Sequence, residues 1–252
     1  MDTRKVVGTK MAALILLCFM AVIQSCSNVR DEPRETRVEV ASGEWKLAGD
    51  LVVPKSAEPV PAVLLLNKAA GNRHVYAGLA TELAHRGIAS LRLDLRGHGE
   101  SVNRGTFVPG NEGRAMIAGT EADIIAACNH LRSLEGIDSS SIAVVGASYS
   151  GEEMMEAARI AGYADAYVAL SPGSLSDESI RSIDSTGIPW LYIASRDERY
   201  LKEVTAAVLQ MSHSAETLIL PGTAHATRIL ESRPDIAVRI AVWLAARLKH
   251  RS

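Results

Sequence analysis

The stretch that decides the fold is Ala143-Val144-Val145-Gly146-Ala147-Ser148-Tyr149-Ser150-Gly151. Its apolar beginning predicts a buried strand, and the small residues that follow predict a sharp turn into a helix. A serine at the apex of such a turn projects its hydroxyl out of the sheet toward a base. The turn is so tight that the residues two before and two after the serine crowd each other. Gly146 and Ser150 are both small, although Ser150 departs from the usual G-x-S-x-G pattern. We therefore predict that Ser148 is a nucleophile.

The chain also carries a carboxylate and a histidine in the order that such a serine requires. One predicted apolar strand ends just before Asp197 and Glu198, and the next is followed by His225 on a loop. A nearby histidine removes the serine proton, and a carboxylate holds the imidazole in the required tautomer. We assign the catalytic roles to Ser148, Asp197 and His225. In the alternative interpretations Asp197 is an ordinary loop carboxylate, with Glu198 as the acid, and His225 is a surface residue. His98 also follows a strand, but it precedes the serine.

Apolar runs alternate with helical patterns along the chain. The runs that predict buried parallel strands lie at 61–66, 88–94, 141–146, 166–170, 189–195 and 216–220, after two earlier strands near 36–41 and 46–53. Helical patterns occupy about 74–86, 114–134, 150–161, 201–211 and 233–248. This alternation predicts an α/β fold, with a mostly parallel eight-stranded sheet covered by helices on both faces. Ligands of such sheets bind outside the carboxyl ends of the strands, where the three candidate catalytic residues fall. The connection over 171–187 is too short for a large cap domain.

Two further motifs carry a family resemblance. The stretch Asp94-Leu95-Arg96-Gly97-His98-Gly99-Glu100-Ser101 resembles the D-x-R-G-x-G-x-S loop that α/β-hydrolases carry after their fourth strand, where its role is mostly structural. Residues 43–51 resemble the first hairpin of that superfamily. With the turn at Ser148, these motifs identify the chain as a member of the α/β-hydrolase superfamily over about residues 36 to 249. It is most similar to the esterase, dienelactone-hydrolase and serine-aminopeptidase branches.

The resemblance implies a serine hydrolase, and a carboxylesterase that forms an acyl-enzyme on Ser148 is the preferred interpretation. The expected partner is a small-molecule ester or amide substrate. One alternative is a catalytically idle hydrolase fold that serves as a binding protein. Others are an acyl transferase and a lactone or peptide hydrolase on the same triad. Dienelactone members of the family commonly use cysteine where this chain has Ser148.

The loop after the third predicted strand departs from the family pattern. Relatives usually carry His-Gly there, whereas this chain has Asn67-Lys68. In the family, a backbone N–H just beyond this point forms half of the oxyanion hole, which stabilises the developing negative charge. The resemblance thus implies that the N–H groups of Tyr149 and Ala69 form the hole. Lys68 either points to solvent or lies near the pocket, where its charge would favour an acidic acyl or leaving group.

The amino terminus predicts export. Basic residues precede an apolar run from Met11 to Ile23, whose length suits a signal-peptide core and is short for a membrane span. Ile23-Gln24-Ser25-Cys26 resembles a bacterial lipobox, which implies lipidation of Cys26. We predict a lipoprotein signal peptide over 1–25, a polar tether over 26–37 and one α/β-hydrolase domain over 38–252. The expected location is extracytoplasmic, with a lipid anchor in the outer membrane or at the cell surface. Secretion, a periplasmic location and an uncleaved anchor are the alternatives.

Composition argues against several function classes. The chain has 27 basic and 29 acidic residues and a net charge of −2. It therefore lacks the excess of positive charge that is typical of proteins that bind nucleic acid. It contains no C-x-x-C, no H-E-x-x-H and no His-rich cluster, so we expect no metal and no cofactor. Of its three cysteines, Cys18 lies in the predicted signal peptide and Cys26 at the lipidation site. Only Cys128 remains, which excludes an intramolecular disulfide in the mature chain.

Overall fold

The computed structural model describes residues 33–199 and 201–248. In this part of the chain the strands are β1 Arg34–Ser42, β2 Trp45–Val53, β3 Val60–Leu66, β4 Ala89–Leu93, β5 Ile137–Ala147, β6 Ala166–Leu170, β7 Trp190–Ser195 and β8 Ala215–Leu220. A short 3₁₀ turn covers Arg73–Tyr76. The α-helices are α1 Ala77–Ala84, α2 Asn111–Ile117, α3 Thr120–Ser133, α4 Tyr149–Ala161, α5 Asp177–Thr186, α6 Lys202–Met211, α7 Arg228–Ser232 and α8 Pro234–Arg247.

The eight strands form one sheet in the order β1-β2-β4-β3-β5-β6-β7-β8. The hairpin strands β1 and β2 are antiparallel, and β2 is antiparallel to β4. The remaining neighbours, from β4–β3 to β7–β8, are parallel. The carboxyl ends of β3 to β8 therefore share one edge of the sheet. The predicted α/β-hydrolase fold with a mostly parallel eight-stranded sheet is confirmed.

Helices cover both faces of this sheet because its central strands are apolar on both sides. Successive side chains of a strand point to opposite faces. In β3, Leu64 belongs to a buried cluster with residues of α3, α4 and α5, whereas Val63 and Leu65 belong to a second cluster with α1 and α8. The continuous apolar runs of the sequence are thus explained by burial on both faces, as is usual for parallel sheets.

The D-x-R-G-x-G-x-S loop holds the carboxyl edge of the sheet together. Buried Arg73 donates to Asp50 at 2.8 Å, to Glu100 at 2.9 Å and to Asp94, whose carboxylate also accepts the Arg73 N–H at 2.7 Å. Ser101 Oγ donates to the Asp94 carbonyl at 2.6 Å and accepts a β2 backbone N–H at 2.8 Å. These charge-assisted and backbone bonds fix the loop beside the candidate site.

Several elements differ from the sequence-based prediction. The segment 171–187, predicted as a connection, contains helix α5. Ser176 caps its first turn by accepting the Ser179 N–H at 3.0 Å. The helix was not predicted because it has only two buried apolar side chains, Ile180 and Ile183. The predicted helix over 114–134 is divided into α2 and α3, with Gly119 between them.

The amino-terminal predictions are tested only in part. Strand β1 begins at Arg34, so the last residues of the predicted tether over 26–37 lie in the sheet, and that boundary was wrong. The stretch is charged because β1 is an edge strand, and Arg37 pairs with Asp50 at 3.3 Å. The signal peptide over 1–25 and Cys26 lie outside the described residues. Within the described ranges, no helix has the length and apolar character needed to cross a membrane.

Candidate active site

Ser148 lies at the apex of a strained turn between β5 and α4. Its backbone has φ 55° and ψ −125°, a conformation that costs a non-glycine residue about 1–3 kcal/mol. The predicted crowding is present. A Cβ added to Gly146 would lie 2.6 Å from the Ser150 carbonyl oxygen and 2.8 Å from the Gly151 Cα. The turn is therefore restricted to glycine at this position, and it presents the serine hydroxyl at the carboxyl edge of the sheet.

The structure brings Ser148 and His225 together. Ser148 Oγ lies 3.0 Å from His225 Nε2, and His225 Nδ1 lies 2.7 Å from Glu198 Oε2. His225 is on the loop after β8 and is partly exposed, whereas Glu198 is buried. A hydroxyl, an imidazole and a carboxylate thus form one hydrogen-bonded chain, which is the arrangement that nucleophilic catalysis by serine requires.

The structure contradicts the assignment of Asp197 as the acid. Asp197 is exposed, and its backbone N–H donates to the Gly222 carbonyl at 3.0 Å. The turn after β7 directs this side chain outward and the next one, Glu198, back toward the sheet. The longer glutamate side chain reaches His225 from there. Glu198 corresponds to the alternative that the sequence left open.

Ser171, which the sequence analysis missed, fixes the orientation of this carboxylate. Ser171 lies directly after β6 with φ 44° and is buried. Its hydroxyl donates to Glu198 Oε1 at 2.7 Å, and the Ser195 N–H donates to the same oxygen at 2.7 Å. With Oε1 held by two donors, Oε2 is left for His225. The position of Ser171 at a carboxyl strand end was the only sequence signal for this role.

The two proposed oxyanion donors lie on elements that flank Ser148. Tyr149 is the first residue of α4, so its N–H has no partner within the helix. Ala69 is in the loop that follows β3, where the Gly71 N–H donates to the Lys68 carbonyl at 3.0 Å. Asn67 is buried and accepts the Leu95 N–H at 3.0 Å. Asn67 therefore ties this loop to the segment after β4.

Lys68 and His98 are near these donors but not at the triad. Lys68 is half-buried, and its ammonium lies 3.4 Å from the Ala69 carbonyl oxygen. His98 donates from Nδ1 to the Arg96 carbonyl at 2.8 Å and stacks on Tyr149, with ring centroids 5.6 Å apart. Burial lowers the pKa of His98. His98 thus packs against the Tyr149 side chain, and His225 is the histidine that contacts Ser148.

Cys128 is not part of this hydrogen-bonded chain. Cys128 is buried in α3, and burial raises the pKa of its thiol to about 12, which disfavours the reactive thiolate. Across residues 33–199 and 201–248, no group of His, Cys, Asp or Glu side chains is arranged to hold a metal ion.

Ser150 explains the departure from the G-x-S-x-G pattern. Its buried hydroxyl accepts the Ala147 N–H at 2.8 Å and lies 3.0 Å and 3.2 Å from the carbonyl oxygens of Ala147 and Leu66. Leu66 ends β3, and its carbonyl also accepts the Tyr76 hydroxyl at 2.8 Å. Ser150 therefore links the turn that carries Ser148 to the strand from which the Ala69 loop departs.

We expect Ser150→Ala to lower kcat for ester hydrolysis about tenfold with little change in KM, because oxyanion donors act in the transition state. Loss of the buried bonds should also lower the free energy of unfolding by about 1–2 kcal/mol. Steady-state kinetics and denaturant unfolding measure both effects. Ser139→Ala, at an exposed position of β5, is the control. An unchanged kcat in Ser150→Ala would show that the link does not position the oxyanion donors.

Sequence comparison identifies a family. A family model described as X-Pro dipeptidyl-peptidase (S15 family) matches residues 43–183. Two uncharacterized proteins, from two strains of Mycobacterium tuberculosis, are each 31% identical over 169 residues, which cover 67% of this chain and 54% of the relative. The chain thus spans about half the length of the curated relatives it matches.

Solved structures with the same fold include named hydrolases. Dienelactone hydrolase from Anabaena variabilis has a TM-score of 0.67 at 19% identity, covering 86% of this chain and 100% of that one. Est1E from Butyrivibrio proteoclasticus, solved with ferulic acid bound, has a TM-score of 0.67 at 18% identity, covering 83% and 99%. At these identities the likeness shows the fold. The family model covers more than half of the 252 residues, and the protein therefore belongs to the X-Pro dipeptidyl-peptidase (S15) family of the α/β-hydrolase superfamily.

Proposed function

We propose that the protein is a serine hydrolase that cleaves carboxylic esters through an acyl-enzyme on Ser148. The observation that carries the proposal is the hydrogen-bonded chain of 3.0 Å and 2.7 Å from Ser148 through His225 to Glu198. Similarity of the fold to a dienelactone hydrolase and to esterases supports the same reaction class.

The geometry supports a two-step reaction. Ser148 Oγ attacks the ester carbonyl carbon while its proton passes to His225 Nε2, and Glu198 stabilises the imidazolium that forms. The N–H groups of Tyr149 and Ala69 donate hydrogen bonds to the carbonyl oxygen and stabilise the negative charge that develops on it. His225 then returns the proton to the leaving alkoxide. In the second step a water molecule, deprotonated by His225, attacks the acyl carbon, and the carboxylic acid leaves as Ser148 recovers its proton.

A second candidate, hydrolysis of a peptide bond after proline, is favoured by the family match over residues 43–183. The two candidates can be distinguished by measuring kcat/KM for one panel of substrates. The panel contains p-nitrophenyl esters of increasing acyl length and an X-Pro p-nitroanilide. An esterase is expected to give a burst of about one nitrophenolate per active site and a higher kcat/KM for an ester than for the anilide. A higher kcat/KM for the anilide would favour the peptidase. Absence of turnover and burst with every substrate would contradict both candidates.

We also propose that the protein acts outside the cytoplasm, anchored through a lipid on Cys26. The lipobox resemblance of Ile23-Gln24-Ser25-Cys26 supports this location. Each buried CH₂ of an acyl chain contributes about 0.8 kcal/mol, and stable attachment needs more than one chain.

Cys26→Ala is accordingly expected to block processing or to release the protein from the membrane fraction, whereas Cys18→Ala should leave attachment intact. Cell fractionation and the intact mass of the mature protein measure the outcome. A wild-type mature protein that begins at another residue and carries no acyl mass would rule out the anchor.

A further inference from the structure

Glu152 is an acidic side chain beside the nucleophile that the triad does not use. It lies in the first turn of α4, and its N–H donates to the Ser148 carbonyl at 3.2 Å. Glu152 thus lies one turn beyond Ser148, and the charge of His225 acts on its carboxylate.

The carboxylate of Glu152 is held against the loop that follows β6. Ser174 Oγ donates to its Oε2 at 2.8 Å. Its Oε1 packs on Gly173, where an added Cβ would lie 2.5 Å from this oxygen. The same loop begins at Ser171, whose hydroxyl donates to Glu198. The loop thus holds two carboxylates, one of which orients His225 while the other remains at the rim of the site.

The carboxylate of Glu152 makes no ion pair with the side chains that the structure describes. The residue is half-buried, and burial raises its pKa, whereas Ser174, the N–H of Gly173 and the charge of His225 act in the opposite direction. Among residues 33–199 and 201–248, no ion pair includes Glu152, although Glu156, one turn further along α4, pairs with Arg159 at 3.0 Å. A partly desolvated carboxylate without a cationic partner is costly, and a bound cation would offset that cost.

We propose that Glu152 binds a cationic ammonium group of the substrate whose ester carbonyl lies at Ser148. The proposal rests on the proposed ester hydrolysis and specifies the substrate class of that site. The Glu152 N–H donates to the Ser148 carbonyl, so we expect the ammonium and the carbonyl carbon of the substrate to be a few bonds apart. The substrate class is therefore a short ester with a positively charged acyl or alcohol part.

The test compares two esters of the same shape. One is the p-nitrophenyl ester of trimethylammoniobutyrate, and the other is its uncharged isostere, in which a quaternary carbon replaces the nitrogen. We expect Glu152→Gln to lower the ratio of kcat/KM for the charged ester to that for the neutral ester about tenfold. Glu156→Gln removes an equal charge from the next turn of the helix and should leave the ratio unchanged. High salt should lower the wild-type ratio, because it screens partly exposed charges.

Gly173→Ala provides a second variant that keeps the glutamate. The added methyl would lie 2.5 Å from Oε1, which is at the end of a flexible side chain and must move away. We expect the carboxylate to shift and the ratio to fall, while fluorophosphonate labelling of Ser148 persists. An unchanged ratio in Glu152→Gln, with both esters still hydrolysed, would overturn the cationic subsite and leave the serine hydrolase intact. If the wild-type protein hydrolyses neither ester and is not labelled, the proposed function fails, and the subsite fails with it.

Discussion

Ser148→Ala is expected to lower kcat/KM for ester hydrolysis by roughly 10⁴-fold or more, because the acyl-enzyme cannot form without the hydroxyl. The fold should persist, since alanine introduces no atom that serine lacks and the φ of 55° is equally strained for both residues. Hydrolysis rates and circular dichroism of the purified variant measure the two expectations. Full activity in a folded Ser148→Ala protein would contradict the assignment of the nucleophile.

Glu198→Gln is expected to lower kcat roughly 10³- to 10⁴-fold, the effect typical of removing the carboxylate from such a triad. An amide in place of Oε2 no longer selects the tautomer with the proton on Nδ1, so Nε2 of His225 becomes a poor base. Ser148 and its oxyanion donors remain in place, which accounts for the residual rate.

Asp197→Asn is the matched control for this variant. It removes the same charge from the adjacent residue, whose side chain is exposed, and its kcat should remain within about twofold of wild type because the side chain lies outside the triad. Measured kcat values for the two variants decide between the carboxylates. A large loss in Asp197→Asn with an active Glu198→Gln would restore the acid predicted from the sequence.

The sequence predicts the sheet and the positions of Ser148 and His225 well because local patterns determine them. Strands buried on both faces, such as β3 and β5, must be apolar throughout, so they are visible as continuous runs. A serine at a tight strand-to-helix turn needs a small residue two positions earlier, and Gly146 meets that requirement. His225 follows the last strand, and the required chain order selects it over His98.

The remaining features depend on contacts between segments that are distant in sequence. The sequence shows adjacent carboxylates at 197 and 198, and only the turn after β7 decides which one faces His225. Likewise, the bonds from Ser171 to Glu198 and from Ser150 to Leu66 join segments that are far apart in the sequence. Strand β1 has the charged composition of a solvated linker because it lies at the edge of the sheet.

The most direct measurement is to label the wild-type protein with a fluorophosphonate and to locate the adduct by peptide mass mapping. Activation by His225 and Glu198 makes Ser148 the reactive serine among the residues that the structure describes. We therefore expect a single adduct on the peptide that contains Ser148, and no adduct in Ser148→Ala. An adduct on Ser150 or Ser171 instead, or a folded wild-type protein that takes no label, would contradict the proposed serine hydrolase mechanism.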